Sequence, residues 1–499
     1  MYLLGFDIGS SSVKAALVNA RTGRTAGIVH SPQTEMEMDA PAPGWAEQHP
    51  DTWWANCCRA SRQLLAETGI APAEVGAIGI SYQMHGLVLT DQLGNVLRPA
   101  IIWCDSRAVS IGEAAFQGLG TDYCLQHLLN SPGNFTASKL KWVLDHEPAI
   151  YHQSRYMMLP GDYIAFRMTG EVLTTVSGLS EGILWDFKNH EIARKLLDHY
   201  GLDPALIPPL TPAFGNQGCL NGIAAEALGL RPGIPVAYRA GDQPNNALSL
   251  NVLNPGEVAA TGGTSGVVYG ILDRLACDPL HRVNSFAHVN HLPGAPRIGV
   301  LLCINGAGSQ YRWMRKQLAQ DGQTYREMEL LAATVAVGAG GLCILPFGNG
   351  AERMLGNRQT GAQIANLDFN RHTRPHIYRA ALEGVAFSFV YGMEILRSLG
   401  LQLSVIRVGN DNLFQSGIFA QTIAELLQCQ IQMLQTTGAA GAAIGAGAGI
   451  GVCANATDGT NALQTVHTYE PHSTNAAYTA AYDRWSALLH QTLTNSPNP

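Results

Sequence analysis

Charge is scarce in this chain. Asp, Glu, Lys and Arg make up 14% of its 499 residues and leave a net charge of −7. Such a surface lacks the basic field that non-specific binding to nucleic acid or to an anionic membrane requires. The ten cysteines have no regular spacing, and no Cys-x-x-Cys occurs. Several, including Cys303, Cys343 and Cys453, sit in apolar runs and are expected to be buried, reduced thiols. The first residues, Met1 to Phe6, have no basic start and run into Asp7 before an apolar core of signal-peptide length can form. A reducing cytoplasm is therefore the expected compartment. Long runs rich in Leu or Ile are also missing. The uncharged stretch 436–455 is mostly Ala and Gly, which reads as a helix packed tightly against a sheet or ligand, not as a membrane span.

Glycine, by contrast, is plentiful at 54 residues, and it falls in separate turns. One turn is used twice. Gly9-Ser10-Ser11-Ser12-Val13 follows the apolar run Tyr2 to Phe6, and Gly263-Thr264-Ser265-Gly266-Val267 follows the run Glu257 to Thr261. Each reads as strand, tight turn, strand. Each offers backbone N–H groups and hydroxyls to an anion, which suits phosphate. The second lacks the lysine of a Walker A loop. The copies are 254 residues apart, so the chain reads as two related halves around one nucleotide.

The first half alternates strands and helices. Tyr2 to Ile8, Val13 to Asn19 and Gly27 to His30 form a three-stranded meander. Asp51 to Glu67 is a helix that Asp51 can cap, with Trp54, Cys58, Ser61 and Leu65 on one face. Strands follow at Val75 to Ser81, Leu87 to Asp91 and Pro99 to Trp103, then helices at Ala137 to His146 and Gly161 to Arg167. A boundary falls near 243–255. The second half repeats the pattern, with a hairpin at 263, a strand at Val300 to Ile304, a long helix from Pro375 to Leu396, a strand at Ser404 to Val408 and a helix at Ser416 to Leu427. The residues after Gln491 are expected to fray.

Several polar constellations punctuate these elements. Asp7 ends a buried strand just before the first turn, with Lys14 beyond it. A carboxylate there is placed to hold Mg²⁺ on phosphates or simply to cap the turn. Asp242, in Ala240-Gly241-Asp242-Gln243 after the strand Ile234 to Tyr238, reads as a general base for an alcohol or as a helix N-cap. Gly241 would let a substrate approach the backbone. Gln83-Met84-His85-Gly86 and Trp103-x-Asp105-x-Arg107 follow first-half strands, where α/β folds bind ligands. They read as polyol contacts, or as a structural histidine and a local ion pair. His281, His288 and His291 share no strand face and complete no zinc set. Glu352-Arg353, after the Gly348-Asn349-Gly350 loop, reads as a surface pair or else as a catalytic-cleft pair.

Taken together, Asp7-x-Gly9 with Lys14, Gly241-Asp242 and Gly263-Thr264-Ser265-Gly266 resemble, in order and spacing, the FGGY carbohydrate kinases of the sugar kinase–Hsp70–actin superfamily. The likeness covers 2–450. The Gln83 to Gly86, Trp103 to Arg107, Leu159 to Tyr163 and Thr174 to Gly182 segments look most like the D-xylulose-phosphorylating branch. The resemblance implies an α/β fold of two ribonuclease-H-like domains flanking a deep cleft, with sugar on 1–245 and ATP on 246–499. It implies Asp242 as base, with Met84, His85, Trp103, Asp105 and Gln243 around a ketose. Gly9, Ser10, Ser11, Lys14, Gly263, Thr264, Ser265, Gly409, Asn410 and Asn412 would face ATP, and Asp7 and Asp242 would hold Mg²⁺. A homodimer is common in look-alikes. Three departures stand out: Gly409-Asn410-Asp411-Asn412 where the family has a glycine run then alanine, Gln243 for the usual Asn, and Met354-Leu355 for Thr-Pro. The alternatives are another ketose or polyol (L-ribulose, L-xylulose, sedoheptulose or glycerol), or an actin- or Hsp70-like ATPase switch.

Overall fold

The computed structural model describes residues 1–452, 463–472 and 476–495. In the first half, β1 (Tyr2–Ile8), β2 (Val13–Asn19) and β3 (Thr25–Ser31) form the expected meander, followed by α1 (Pro50–Thr68) and β4 (Val75–Tyr82). Next come α2 (Thr136–His146), α3 (Pro160–Thr169), α4 (Val176–Glu181), β5 (Val236–Gly241) and α5 (Asp242–Ser249). These strands make a five-stranded sheet of order β5-β4-β1-β2-β3, with β1, β4 and β5 parallel. The second half contributes β6 (Glu257–Gly262), β7 (Gly266–Leu272), β8 (Asn284–Ala287), β9 (Ile298–Ile304), α6 (Gly308–Leu318), α7 (Tyr325–Ala332) and α8 (Arg374–Ser398). It ends with β10 (Val405–Gly409), α9 (Gly417–Leu427), β11 (Ile431–Leu434), α10 (Gly438–Gly449), β12 (Thr465–Tyr469) and α11 (Ala476–Asn495). Its sheet runs β8-β9-β7-β6-β10-β11-β12. Within it, β9-β7-β6-β10-β11 repeats the first sheet's β3-β2-β1-β4-β5, which makes the two halves copies of one topology.

Two sequence expectations change in detail. Helix α1 is capped by His49, whose side chain accepts the Asp51 N–H, while Asp51 lies in the first turn. Its buried stripe is Trp53, Asn56, Cys57, Ala60 and Leu64; of the expected face only Ser61 is buried, and Trp54, Cys58 and Leu65 flank the stripe half-buried. Helix α11 continues through Asn495, past the expected fraying point, with the Thr492 hydroxyl donating to Leu488 O. Cys343 is buried as expected, but Cys303 is exposed. Cys453 lies outside the described residues, as does the end of the small-residue stretch at 453–455.

That stretch begins as α10, which Thr437 caps by accepting the Ala440 N–H. The helix belongs by sequence to the second half, yet it packs on β1, β2, β4 and β5 of the first sheet. Glycine makes this contact possible. A Cβ on Gly5 or Gly79 would come within 1.9 Å of the carbonyls of Ala439 or Ala442. The opposite face of the sheet is covered by α1 and α3 through Phe6, Ile80, Trp53 and Ile164. No helix among the described residues is long and apolar enough to cross a membrane.

Candidate active site

Parallel β1 and β5 flank β4, so Asp7 and Asp242 emerge at the same carboxyl edge of the sheet, where open α/β sheets bind ligands. Asp7 accepts a hydrogen bond from Ser81 Oγ at 2.9 Å. Asp242 opens α5, and the N-cap is Gly241, so the capping alternative for Asp242 does not hold. Burial, and then the charge of Asp7, push the Asp242 carboxyl up to about 7, partly offset by hydrogen bonds from Gln243. The N-terminus of α10 closes this edge: a Cβ on Gly438 would sit 2.6 Å from Asp7 Oδ2. A helix N-terminus at two carboxylates favours negative charge beside it. Among the described residues no group of three His, Cys, Asp or Glu forms a metal cage. Two hard carboxylates suit Mg²⁺, which is usually completed by water and phosphate oxygens. The histidines lie elsewhere: His288 is buried against the Tyr269 hydroxyl, 3.2 Å from its Nδ1.

The loop after β4 forms one wall. Met84 is buried over Gly241, whose Cβ would meet Met84 Cγ at 2.6 Å. Glycine there admits the methionine side chain, not the substrate. His85 is held at φ 62°. Glu181 Oε2 accepts its backbone N–H at 3.1 Å, and its Nδ1 lies 2.9 Å from the Glu181 carbonyl. A carbonyl only accepts, so Nδ1 carries the hydrogen. Burial holds the ring's pKa down to about 3, so it is neutral and Nε2 is left as an acceptor. Lys139, fully buried, donates to the carbonyls of His85 and Ile102 at 2.8 and 2.9 Å. It ties this loop to the one carrying Trp103.

Trp103 is half-exposed, and its indole N–H donates to Ser10 Oγ at 3.3 Å, laying a flat apolar wall beside the first turn. Asp105 is fully buried. It pairs with Arg107 at 2.7 Å and accepts the Ala46 N–H. Arg107 in turn stacks on Trp45, 3.9 Å from the ring centre. The Asp105–Arg107 segment is thus the local ion pair of the two alternatives, and it supports the Trp103 loop from behind. Lys14 and Ser11 are exposed at the first turn, which closes through Gly9 N–H to Ser12 O at 3.0 Å.

A cavity of about 800 Å³ opens on the second half. Gly262, Gly263 and Thr264 form its floor, and Tyr311, Arg312, Tyr325, Arg326, Glu329 and Leu330 form one side. Asn412, Leu413, Gln415 and Ser416 form the other. Asn412 adopts φ 53°, a left-handed conformation that Asn tolerates and a glycine run would supply freely. Gly409 and Asn410 stand back from the cavity, with Asn410 bonded to Leu434 O and the Gln435 side chain. Ser265 is exposed outside it. Lys139, Glu181 and the α6–α7 wall were not singled out in the sequence, because their partners lie far along the chain: Lys139 donates to the carbonyls of His85 and Ile102, and Glu181 accepts the His85 N–H 96 positions away. Glu352 was missed differently. It is fully buried, not a surface residue, and Arg353 donates instead to His281 O at 2.7 Å.

Residues 2–249 match the N-terminal domain, and 258–450 the C-terminal domain, of the FGGY family of carbohydrate kinases. The chain is 30% identical over 451 residues to a xylulose kinase of Escherichia coli K12, covering 89% of this chain and 88% of that one. Its fold matches a xylulose kinase structure from Rhodospirillum rubrum with TM-score 0.88 and 27% identity, over 99% and 100% of the two chains. A Plasmodium falciparum glycerol kinase with ADP, 18% identical, shares the fold at TM-score 0.88 over 99% and 98%. The chain belongs to the FGGY carbohydrate kinases and is a phosphotransferase acting on an alcohol group of a sugar.

Proposed function

We propose that this FGGY kinase transfers the γ-phosphoryl group of ATP to the terminal hydroxyl of a ketose, D-xylulose first, giving the 5-phosphate. One observation carries the reading: Asp242 stands at the sheet edge beside Asp7, its carboxyl raised to about 7, where it can accept a proton near neutral pH. As the hydroxyl oxygen bonds to the γ-phosphorus, its proton passes to Asp242 and the bond to the bridging oxygen of ADP breaks. Gly263 and Thr264 cradle the phosphates, with the adenosine in the cavity above them. His85 Nε2 accepts from a sugar hydroxyl, Met84 and Trp103 bound the carbon chain, and Gln243 keeps the Asp242 carboxylate oriented. When bound, Mg²⁺ held by Asp7 and Asp242 would neutralise phosphate charge. Closing the two halves would keep water from the γ-phosphate. A reducing cytoplasm and a homodimer are the setting we expect.

The relatives named for xylulose kinase activity favour D-xylulose, and the His85 acceptor suits a polyol. The test is ADP release by purified protein with ATP and Mg²⁺ across D-xylulose, L-xylulose, L-ribulose, sedoheptulose, glycerol and no sugar. The expected result is a strong response to D-xylulose and little ADP without sugar. A preference for another sugar would replace the substrate, and equal ADP in every well would support an ATPase switch.

A further inference from the structure

Glu352 is a carboxylate buried to zero exposure. Two backbone N–H groups face it, not a guanidinium: Asn305 at 3.0 Å on Oε2 and Gly306 at 3.1 Å on Oε1. Burying a carboxylate without an opposite charge is costly, so such a group marks a place where the local backbone must be held in one conformation. The segment it holds is the turn between β9 and α6. Three residues further, Gly308 N–H donates to Gly263 O and Ser309 N–H to Thr264 O, both at 3.0 Å. The turn is also wedged from its other side, since a Cβ on Gly306 would meet Pro346 O at 1.9 Å. Asn349 Nδ2 adds bonds to Asn305 O and Ser309 Oγ, both at 3.1 Å.

A trans peptide points its carbonyl and its following N–H in opposite directions. Tying the carbonyls of Gly263 and Thr264 back to α6 therefore turns the N–H groups of Thr264 and Ser265 away from α6. We infer that Glu352, through residues 305–309, is a positioning residue that aims these two N–H groups at the nucleotide's phosphates. The inference rests on reading the 263–266 turn as the phosphate site.

Calorimetric titration of the full-length protein with the non-hydrolysable ATP analogue AMP-PNP and Mg²⁺, and separately with adenosine, tests it. Glu352→Ala weakens AMP-PNP binding about tenfold, as the loss of hydrogen bonds to a charged group does. Adenosine affinity and the sugar KM stay within about twofold, and Glu352→Gln, which keeps one acceptor oxygen, falls between. Asn349→Ala removes only an exposed side chain and guards against a failure of the first variant to fold. It weakens AMP-PNP by about fivefold with adenosine unchanged. If AMP-PNP and adenosine weaken together, or AMP-PNP binding is unchanged in these variants, the brace is overturned. A wild-type protein that binds AMP-PNP no more tightly than adenosine overturns the phosphate reading, and the brace with it.

Discussion

In the proposed reaction Asp242 accepts a proton near neutral pH, and the surroundings that raise its carboxyl carry a cost in stability. The folded carboxyl titrates at about 7 against an ordinary 3.8. Between those values the folded chain holds a proton that the unfolded chain has lost. This contribution to stability is therefore fully present below about pH 4 and declines as pH rises towards 7. Activity is expected to run the other way, with the kcat/KM of the free enzyme rising with pH up to about 7 and then levelling as Asp242 deprotonates. Asp242→Asn is expected to lower kcat by about 10²–10⁴-fold and to abolish this acid limb. A steady-state pH profile of both proteins checks it; an unchanged limb in the variant assigns the ionisation elsewhere. Glu352, also raised to about 7 by burial, adds to the stability slope but touches no reacting group. Asp242 was legible in the sequence as a carboxylate beside glycine after a strand. Its raised pKa was not, because it comes first from burial and then from the charge of Asp7, 235 positions away.

At the scale of elements, the contact of α10 with the first sheet supports the site most directly, because the helix N-terminus beside Asp7 depends on it. Gly79→Ala drives a methyl group into the Ala442 carbonyl. It is expected to cost about 1–3 kcal/mol, read as a lower denaturant midpoint with an unchanged slope. Wild-type stability in this variant would mean that α10 can shift without loss. The alternation of strands and turns and the meander were readable because they are set by local periodicity and glycine, whereas the cap of α1 was not, since His49 and not Asp51 provides it. The stripe of α1 was read one residue off, since Trp53-Trp54 and Cys57-Cys58 are adjacent pairs that give the helix two equally apolar stripes. The packed nature of the helix at 438–449 was visible in its Ala and Gly content, but no local signal says which sheet the helix meets. It crosses back to the first.

At the scale of the whole molecule, the repeated strand order explains why one turn occurs twice and why the site is shared. The first half supplies both carboxylates and the His85 wall, and the second supplies the cavity whose Gly263–Thr264 floor would take the phosphates in the proposed reaction. The duplication was legible from the two glycine turns. Asp105 read as a ligand or as half of an ion pair, and only its packing against Ala46 and Arg107 shows the pair. The residues that line the cavity from α6 and α7 carry no local pattern that separates them from other amphipathic helices. In the proposed reaction these two halves pass a phosphoryl group to a sugar hydroxyl, not to water. The most direct test is phosphorus NMR of the products formed from ATP, Mg²⁺ and D-xylulose. The expected product is a phosphomonoester whose phosphorus couples to the terminal methylene, in amounts equal to the ADP formed. Inorganic phosphate in place of that ester would contradict it.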